Sequence, residues 1–335
     1  MLSIQDITQR SVIIVNALDN KKFNMVLGNI VVQDDKSGEI LTKLSCYKVL
    51  AIFVIGHITI TSHVLENLAK YSICLVLLKS NFRPFFTFGI SAEANYLLRQ
   101  RQYGFTDDYK IAKVLLHNKS YNQVVLLKKI RSQDIQNNDK FAQCKKLLLR
   151  IKYLENYSLA ELMGIEGNIS KNYFSLMFDC SGWNGRKPRT KIDPYNVTLD
   201  IGYTFLFNFI ECCVRLFGFD VYYGVCHQTW FRRKSLICDL IEPFRCIIVF
   251  QIRKSWNLNQ FQFEHFEYVR GQYQLKKQFN KLYTEIIFSQ IIEYKNIIFM
   301  FIRDYYRCFM GKKSVAYYPW FDFSDGSLVY ADSQL

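Results

Sequence analysis

Residues 111–130 read I-A-K-V-L-L-H-N-K-S-Y-N-Q-V-V-L-L-K-K-I. Apolar residues recur there at three- and four-residue spacing, the period of a helix face. The same period is present from about Glu93, at Tyr96, Leu97 and 99–103, and it continues to about residue 310. One marked break interrupts it, residues 181–194 (S-G-W-N-G-R-K-P-R-T-K-I-D-P). Upstream the pattern differs. Residues 12–15, 22–27, 30–32, 49–55, 73–78 and 85–88 are short β-branched or aromatic runs. Turn-like segments separate them at Asp19-Asn20, Gly28-Asn29, 34–38 and 79–84. One helix interrupts these strands at 62–70, with apolar Val64, Leu65 and Leu68 behind a Ser or Thr cap. The expectation is an α+β chain of two domains. A small N-terminal β-rich domain covers 1–90 and a larger all-α C-terminal catalytic domain covers 91–310. The tail 311–335, two lysines followed by an aromatic and acidic stretch, has no assignable role.

The chain has 335 residues, half of them hydrophobic at 50%, enough for a sizeable core. Its formal net charge is +14 and its pI about 9.2. That balance favours an acidic partner. Nucleic acid comes first, because the basic residues fall in short clusters. No amphipathic basic helix points to a membrane surface. The apolar run 49–60 is too short for a bilayer and is broken by Gly56 and His57. The run 286–302 is interrupted by Glu293 and Lys295. Ten cysteines occur without a C-x-x-C pair or a regular spacing. They read as buried free thiols of a reducing cytosol, not as a disulfide or zinc framework. With no signal-peptide pattern at the N-terminus, the expectation is a cytoplasmic protein without a membrane segment.

The chemistry concentrates in residues 226–245, C-H-Q-T-W-F-R-R-K-S-L-I-C-D-L-I-E-P-F-R. One imidazole, His227, precedes two carboxylates, Asp239 and Glu242. If Ser235 opens a helix, the three-residue spacing puts both carboxylates on one face, while Leu236, Leu240 and Ile241 pack elsewhere. Imidazole and carboxylates form a ligand set for Mg2+ or Mn2+. The run Arg232, Arg233, Lys234 beside them suits a phosphate-bearing substrate. The same residues also admit a core histidine and two helix charges that pair with Arg245. A second element, Met163 to Phe174, places Glu166 between Gly164 and Gly167, just before a helical run. Those glycines let a backbone or a bulky ligand approach the carboxylate. Ser170, Lys171 and Tyr173 follow, each able to donate to phosphate.

Taken together, these elements resemble the CRISPR-associated spacer-acquisition endonuclease, the integrase subunit of the adaptation complex. The resemblance lies in G-x-E-G-x-x-x-x-x-Y-F at 164–174, Asp193-Pro-Tyr-Asn196 with Gly202-Tyr203, and Gly224-Val-Cys-His227 leading into 235–245. Upstream, I-G-H-I-T-I-T from Ile55, R-Q-R-Q-Y from Arg99 and A-K-V-L-L-H-N-K-S-Y-N-Q from Ala112 also look like that family. It covers nearly all of 10–250 and weakens beyond about 255.

The resemblance implies an N-terminal β domain, which dimerises, and a helical catalytic domain. It implies a metal held by Glu166, His227 and Glu242, with Asp239 on a nearby acidic position that is close to the metal in some members. Cys226 stands where members often have a larger hydrophobic residue. It further implies a homodimer that works with a small second adaptation protein. This assembly would join the 3′-hydroxyl of a foreign double-stranded DNA fragment to a phosphate of a CRISPR repeat, and the same site would cut DNA with water as nucleophile. Lys171, Tyr173, Arg186, Lys187, Arg189, Lys191, Arg232, Arg233 and Lys234 are candidates for holding DNA through its phosphates. Trp183 and Trp230 are candidates for stacking or for the core. His57, His63, His117 and His265 read as structural. Two alternatives stand beside this reading: a non-catalytic nucleic-acid-binding scaffold, and a repair nuclease that acts on branched DNA with the same residues.

Overall fold

The computed structural model describes residues 3–17, 21–89, 95–106, 109–130, 132–178, 183, 185–227 and 229–334. The turn expected at Asp19-Asn20 and the start of the loop expected from Ser181 lie outside these residues. Ser3 caps the first helix, α1 (Ile4–Gln9), through a reciprocal pair with Asp6. Seven strands follow: β1 (Ser11–Asn16), β2 (Lys21–Val26), β3 (Asn29–Asp34), β4 (Ile40–Ser45), β5 (Val49–Ile55), β6 (Cys74–Leu78) and β7 (Pro84–Phe88). The helix α2 (Ser62–Lys70) links β5 to β6 and is capped by Thr61. Strands β2, β3 and β4 form an antiparallel meander. The other four form a sheet in the order β1-β5-β6-β7, parallel except for the β6–β7 pair. β4 is not among the expected strands, which pass from 30–32 directly to 49–55 with a turn at 34–38.

Every residue of β5 is buried, because both faces of the sheet are covered. Alternation divides the strand between two cores. Ile52 and Val54 pack with Ile13, Leu75, Val64 and Leu68 toward α2 and the meander. Ala51, Phe53 and Ile55 face the helical part of the chain, where Phe53 meets the ring of Phe288 at 4.9 Å. The sheet is thus a wall shared by both cores.

The helices are α3 (Tyr96–Tyr103), α4 (Lys110–Lys129), α5 (Gln133–Gln136), α6 (Asp139–Lys152), α7 (Leu159–Met177), α8 (Pro194–Arg215), α9 (Ser235–Leu240), α10 (Arg245–Asn257), α11 (Asn280–Glu293) and α12 (Lys295–Met310). Among the described residues only α8 is long and apolar enough to cross a membrane, and 83% of that stretch is buried inside the fold. Asp193 caps it ahead of Pro194 at the first helical position. Gly202 lets α8 press against α10, since a Cβ there would stand 2.5 Å from Ile248 Cγ2.

Three expectations need correction. The C-terminal part is not all-α. A hairpin of β8 (Phe266–Val269) and β9 (Gln272–Leu275) interrupts it, joined by Arg270 and Gly271, both at positive φ. A second hairpin, β10 (Pro319–Asp322) and β11 (Ser327–Tyr330), lies in the segment read as a tail. It puts Trp320 and Phe321 in the core, Phe321 stacked on Phe244 at 4.8 Å. Nor are all the cysteines free. Cys74 of β6 and Cys212 of α8 are joined as a disulfide, with Cα atoms 5.8 Å apart. They lie 138 residues apart in sequence, so no local spacing announces the pair.

Two asparagines of α4 hold the C-terminal hairpin. Asn118 exchanges two hydrogen bonds with the backbone of Phe321. Asn122 donates to the carbonyls of Phe321 and Pro243 and accepts from the Phe323 amide. Asn122→Leu would leave the buried Phe323 amide without this acceptor and take one donor each from the Pro243 and Phe321 carbonyls, the latter keeping Asn118. Urea unfolding should then show a loss of about 3 kcal/mol; a loss below about 1 kcal/mol would mean that these bonds are not what holds the hairpin.

Candidate active site

Helix α4 is buried for most of its length, yet Lys119 lies near its middle. A charged residue in such a place needs partners. Its ammonium lies 2.8 Å from Glu166 Oε1 and 2.6 Å from Glu242 Oε2. The side chains of Lys119, Glu166 and Glu242 are 14%, 12% and 4% exposed. Glu166 sits well inside α7, not ahead of a helix as expected. Ser170, one turn later, donates to Glu166 Oε1 at 2.5 Å, and Gln123 of α4 donates to Ser170 at 2.9 Å. A Cβ on Gly164 or on Gly167 would meet nothing within 4 Å, so the helix is bare on both sides of Glu166. Glycine inside a helix costs roughly 1 kcal/mol, and at these two positions no packing contact explains it.

Glu242 opens a short 3-10 turn, Glu242–Phe244, tied to α4 by the bond from Asn122 to Pro243. Arg245 donates its Nε to Glu242 Oε2 at 2.9 Å. Burial by itself would raise the Glu242 carboxyl. The Arg245 guanidinium and the Lys119 ammonium outweigh it and hold the group down at about 2. Lys119 is raised above the ordinary lysine range: burial opposes this, but Glu166 and Glu242 prevail. Arg245 also lies over the ring of Tyr203 at 4.7 Å, with Arg186 over the same ring at 5.4 Å.

Asp239 faces elsewhere. The helix α9 ends at Leu240, so Asp239 and Glu242 do not share a face as the spacing suggested. Asp239 is fully buried and accepts the amides of Val225, Cys226 and His227 at 2.7, 3.0 and 2.9 Å. It also bonds His227 Nδ1 at 2.6 Å. With Nδ1 engaged, the neutral ring presents Nε2 to a ligand. Gly224 is required here because a Cβ would collide with this carboxylate and with the Ser235 backbone.

Among the described residues, the group whose donor atoms lie within 4.8 Å of one another is Cys226, His227 and Asp239, not Glu166, His227 and Glu242. The former makes a poor cation site. Both oxygens of Asp239 are already taken, and burial, then the Asp239 carboxylate, push the Cys226 thiol upward.

Glu166 and Glu242 form part of the wall of a groove of about 1460 Å³; His227 is not among its lining residues. Lys171, Tyr173, Arg186, Lys187, Arg189, Lys191 and Arg232 line it as well. The Asp193-Pro-Tyr-Asn196 segment organises the basic loop. Buried Asn196 accepts from the Lys187 amide and from Arg186 and donates to the Gly185 carbonyl. Asp200 accepts from the Arg186 side chain and the Arg189 amide. Arg186 is therefore occupied as a strut. Lys234 is likewise committed, to Glu211 at 2.6 Å, and Arg233 is outside the groove lining. Tyr173 and Tyr203 line the groove with buried hydroxyls that have no hydrogen-bond partner among the described residues, and Gln123 Oε1 also has none there. Such orphan groups await a ligand or water. Trp183 packs among Phe178 and Tyr195, whereas Trp230 and Phe231 are 73% and 81% exposed.

Sequence reasoning gave Lys119 no role, although it lies in a quoted motif. The signal was a lysine within a polar stretch, His117 to Gln123, set between the apolar runs 114–116 and 124–127 of one helix. Arg83 and Lys277, far away in sequence, also reach the groove.

The family model described as "CRISPR associated protein Cas1" matches residues 19–287. The chain is 30% identical over 259 residues to "CRISPR-associated endonuclease Cas1 1" of Thermodesulfovibrio yellowstonii, covering 71% of this chain and 80% of the relative. A namesake from Chlorobaculum tepidum is 26% identical over 222 residues, covering 62% and 65%. Among solved structures, a "Casposase bound to integration product" superposes with a TM-score of 0.75 at 18% identity, covering 91% of this chain and 92% of that one. A CAS1 protein from Thermotoga maritima gives 0.72 at 20%, covering 90% and 97%. A "Cas6-RT-Cas1--Cas2 complex" gives 0.75 at 20%, but this chain, 91% of which is covered, spans only 35% of that polypeptide. At these identities the structures speak for the fold alone.

Replacing Glu242 by Gln should destabilise the protein at pH 7 by about 3 kcal/mol, because Lys119 keeps only Glu166 and the partly exposed Arg245 loses its carboxylate. The folded carboxyl titrates near 2 and its unperturbed value is 4.5, so it contributes stability above 4.5 that is lost as pH falls toward 2. Urea curves of wild type and Glu242→Gln should therefore converge over that window. A gap that stays constant from pH 5 to about 2.5 would contradict the assignment.

Proposed function

The chain belongs to the CRISPR-associated Cas1 family, and from that premise we propose that it is a divalent-metal-dependent DNA endonuclease and integrase. The observation that carries this reading is the meeting of Glu166 and Glu242 at one cation in the wall of a basic groove. Their oxygens suit Mg2+ or Mn2+, and the orphan hydroxyls of Tyr173 and Tyr203 suit a polar occupant beside it. Glu166, Glu242 and His227 would hold the ion. When bound, it would lower the pKa of an attacking hydroxyl or water and neutralise charge on the phosphate under attack.

The remaining work falls to the chain itself. Lys171, Arg189, Lys191 and Arg232 would track the DNA backbone by charge, without reading sequence. Arg245, fixed by Glu242 and Tyr203, sets a positive charge at the groove wall, where charge develops on a phosphate. The bare helix face at Gly164 and Gly167 leaves room for a DNA strand to reach Glu166. Asp239 is a positioning residue: it orients His227 and closes the loop beneath it. A 3′-hydroxyl in the groove would give strand joining to a CRISPR repeat, and water would give cleavage.

A scaffold without chemistry is the second reading. It draws on the ion pairs that already neutralise both carboxylates and on the absence of His227 from the groove lining. The proposed partners are double-stranded DNA, a small second adaptation protein and a second copy of the chain. For the last, Val26, Leu27, Ile40 and Leu41 lie exposed on the β2–β4 meander and its turn, Leu27 at 95%.

A supercoiled plasmid carrying a repeat, a labelled duplex with free 3′ ends, the partner protein and Mn2+ provide the test. Wild type should join label to plasmid. Glu166→Ala and His227→Ala should abolish joining, and Asp239→Asn should reduce it roughly 10–100-fold. Equal DNA binding by wild type and Glu166→Ala, with joining by neither, would favour the scaffold. Separately, Leu27→Asp should shift sedimentation from dimer to monomer; an unchanged dimer would place the contact elsewhere.

A further inference from the structure

The ammonium of Lys119 lies where a cation shared by Glu166 and Glu242 would lie, within 2.8 Å of one carboxylate and 2.6 Å of the other. An ion such as Mg2+ takes oxygens at about 2.0–2.1 Å, so the same oxygens cannot serve both cations well. The local charge already balances: two carboxylates face Lys119 and Arg245. A second pair of positive charges, added in a setting this sheltered from water, would be strongly repelled by a lysine that stayed in place. Lys119 has somewhere to go, since its side chain is itself part of the groove wall. Arg245 is different: its guanidinium is pinned between Glu242 and the Tyr203 ring.

We propose that Lys119 is the resident cation of this site, which keeps Glu166 and Glu242 together until a divalent ion displaces it into the groove, where a DNA phosphate becomes its partner. The inference rests on reading Glu166 and Glu242 as metal ligands. It makes Lys119 a competitor of the metal and a contact for the substrate, so that metal loading and DNA binding favour one another.

The test is Mn2+ binding to the full chain without DNA, read from the paramagnetic resonance of free Mn2+, for wild type, Glu166→Gln and Lys119→Met. Lys119→Met should bind Mn2+ at least about tenfold more tightly than wild type, since no charged hydrogen bonds must be broken first. Its melting temperature should be lower without metal and should rise more on adding Mn2+. Glu166→Gln should lose binding. Lys119→Gln, which can still donate to one carboxylate, replaces Lys119→Met if the latter does not fold. If wild type binds Mn2+, Glu166→Gln does not, and the Lys119 variant binds equally or more weakly, the metal site stands and the displacement idea is overturned. If none of them binds Mn2+, both are overturned.

Discussion

The geometry of the groove depends on four charges largely withdrawn from water: Lys119, Glu166, Glu242 and Arg245. Each alone would be costly to bury, and together they satisfy one another through hydrogen bonds of 2.6 to 2.9 Å. The cluster draws α4, α7 and the turn before α10 to one point. It also explains the odd composition of α4, where Asn118, Lys119, Asn122 and Gln123 interrupt an apolar helix. Two of these hold backbone, one holds carboxylates and one reaches Glu166 through Ser170. An amphipathic surface helix would not need such residues, whereas one at the centre of a molecule does.

Much of this architecture was legible in the chain. The switch from two-residue to helical periodicity near residue 93 separated the sheets from the helices, because β5 and its neighbours announce themselves as β-branched runs. The β8–β9 hairpin was missed although it alternates around Arg270-Gly271, since it is four residues a side inside a long helical region. The β10–β11 hairpin carries a turn signal in Asp325-Gly326, but that Trp320 and Phe321 are core residues depends on α4 and Phe244 being there to receive them. The disulfide between Cys74 and Cys212 is likewise a product of tertiary proximity.

For the site, residue type was more legible than residue role. A histidine followed by two carboxylates was visible from spacing, but helical spacing placed Asp239 and Glu242 together. The helix ends between them, and Asp239 turns to the amides of residues 225–227 while Glu242 turns to Lys119 and Arg245. The basic clusters divide in the same way. Arg186 and Lys234 are bound to Asp200 and Glu211, whereas Lys171, Arg189, Lys191 and Arg232 line the groove. Spacing along a chain cannot distinguish a strut from a contact, because that depends on an acidic partner 14 or 23 residues away.

The bonds from Asn118 to Phe321 span 203 residues. They give the site a place in time as well as in space. While the protein is being synthesised, α4 leaves the ribosome long before the strand that satisfies its asparagines. Until residue 323 has emerged, Asn122 has only Pro243 to hold, and the turn that carries Glu242 is fastened on one side. The groove is therefore completed only after residue 323 has emerged, and until then a nascent chain carries Glu166 and Glu242 without their final arrangement.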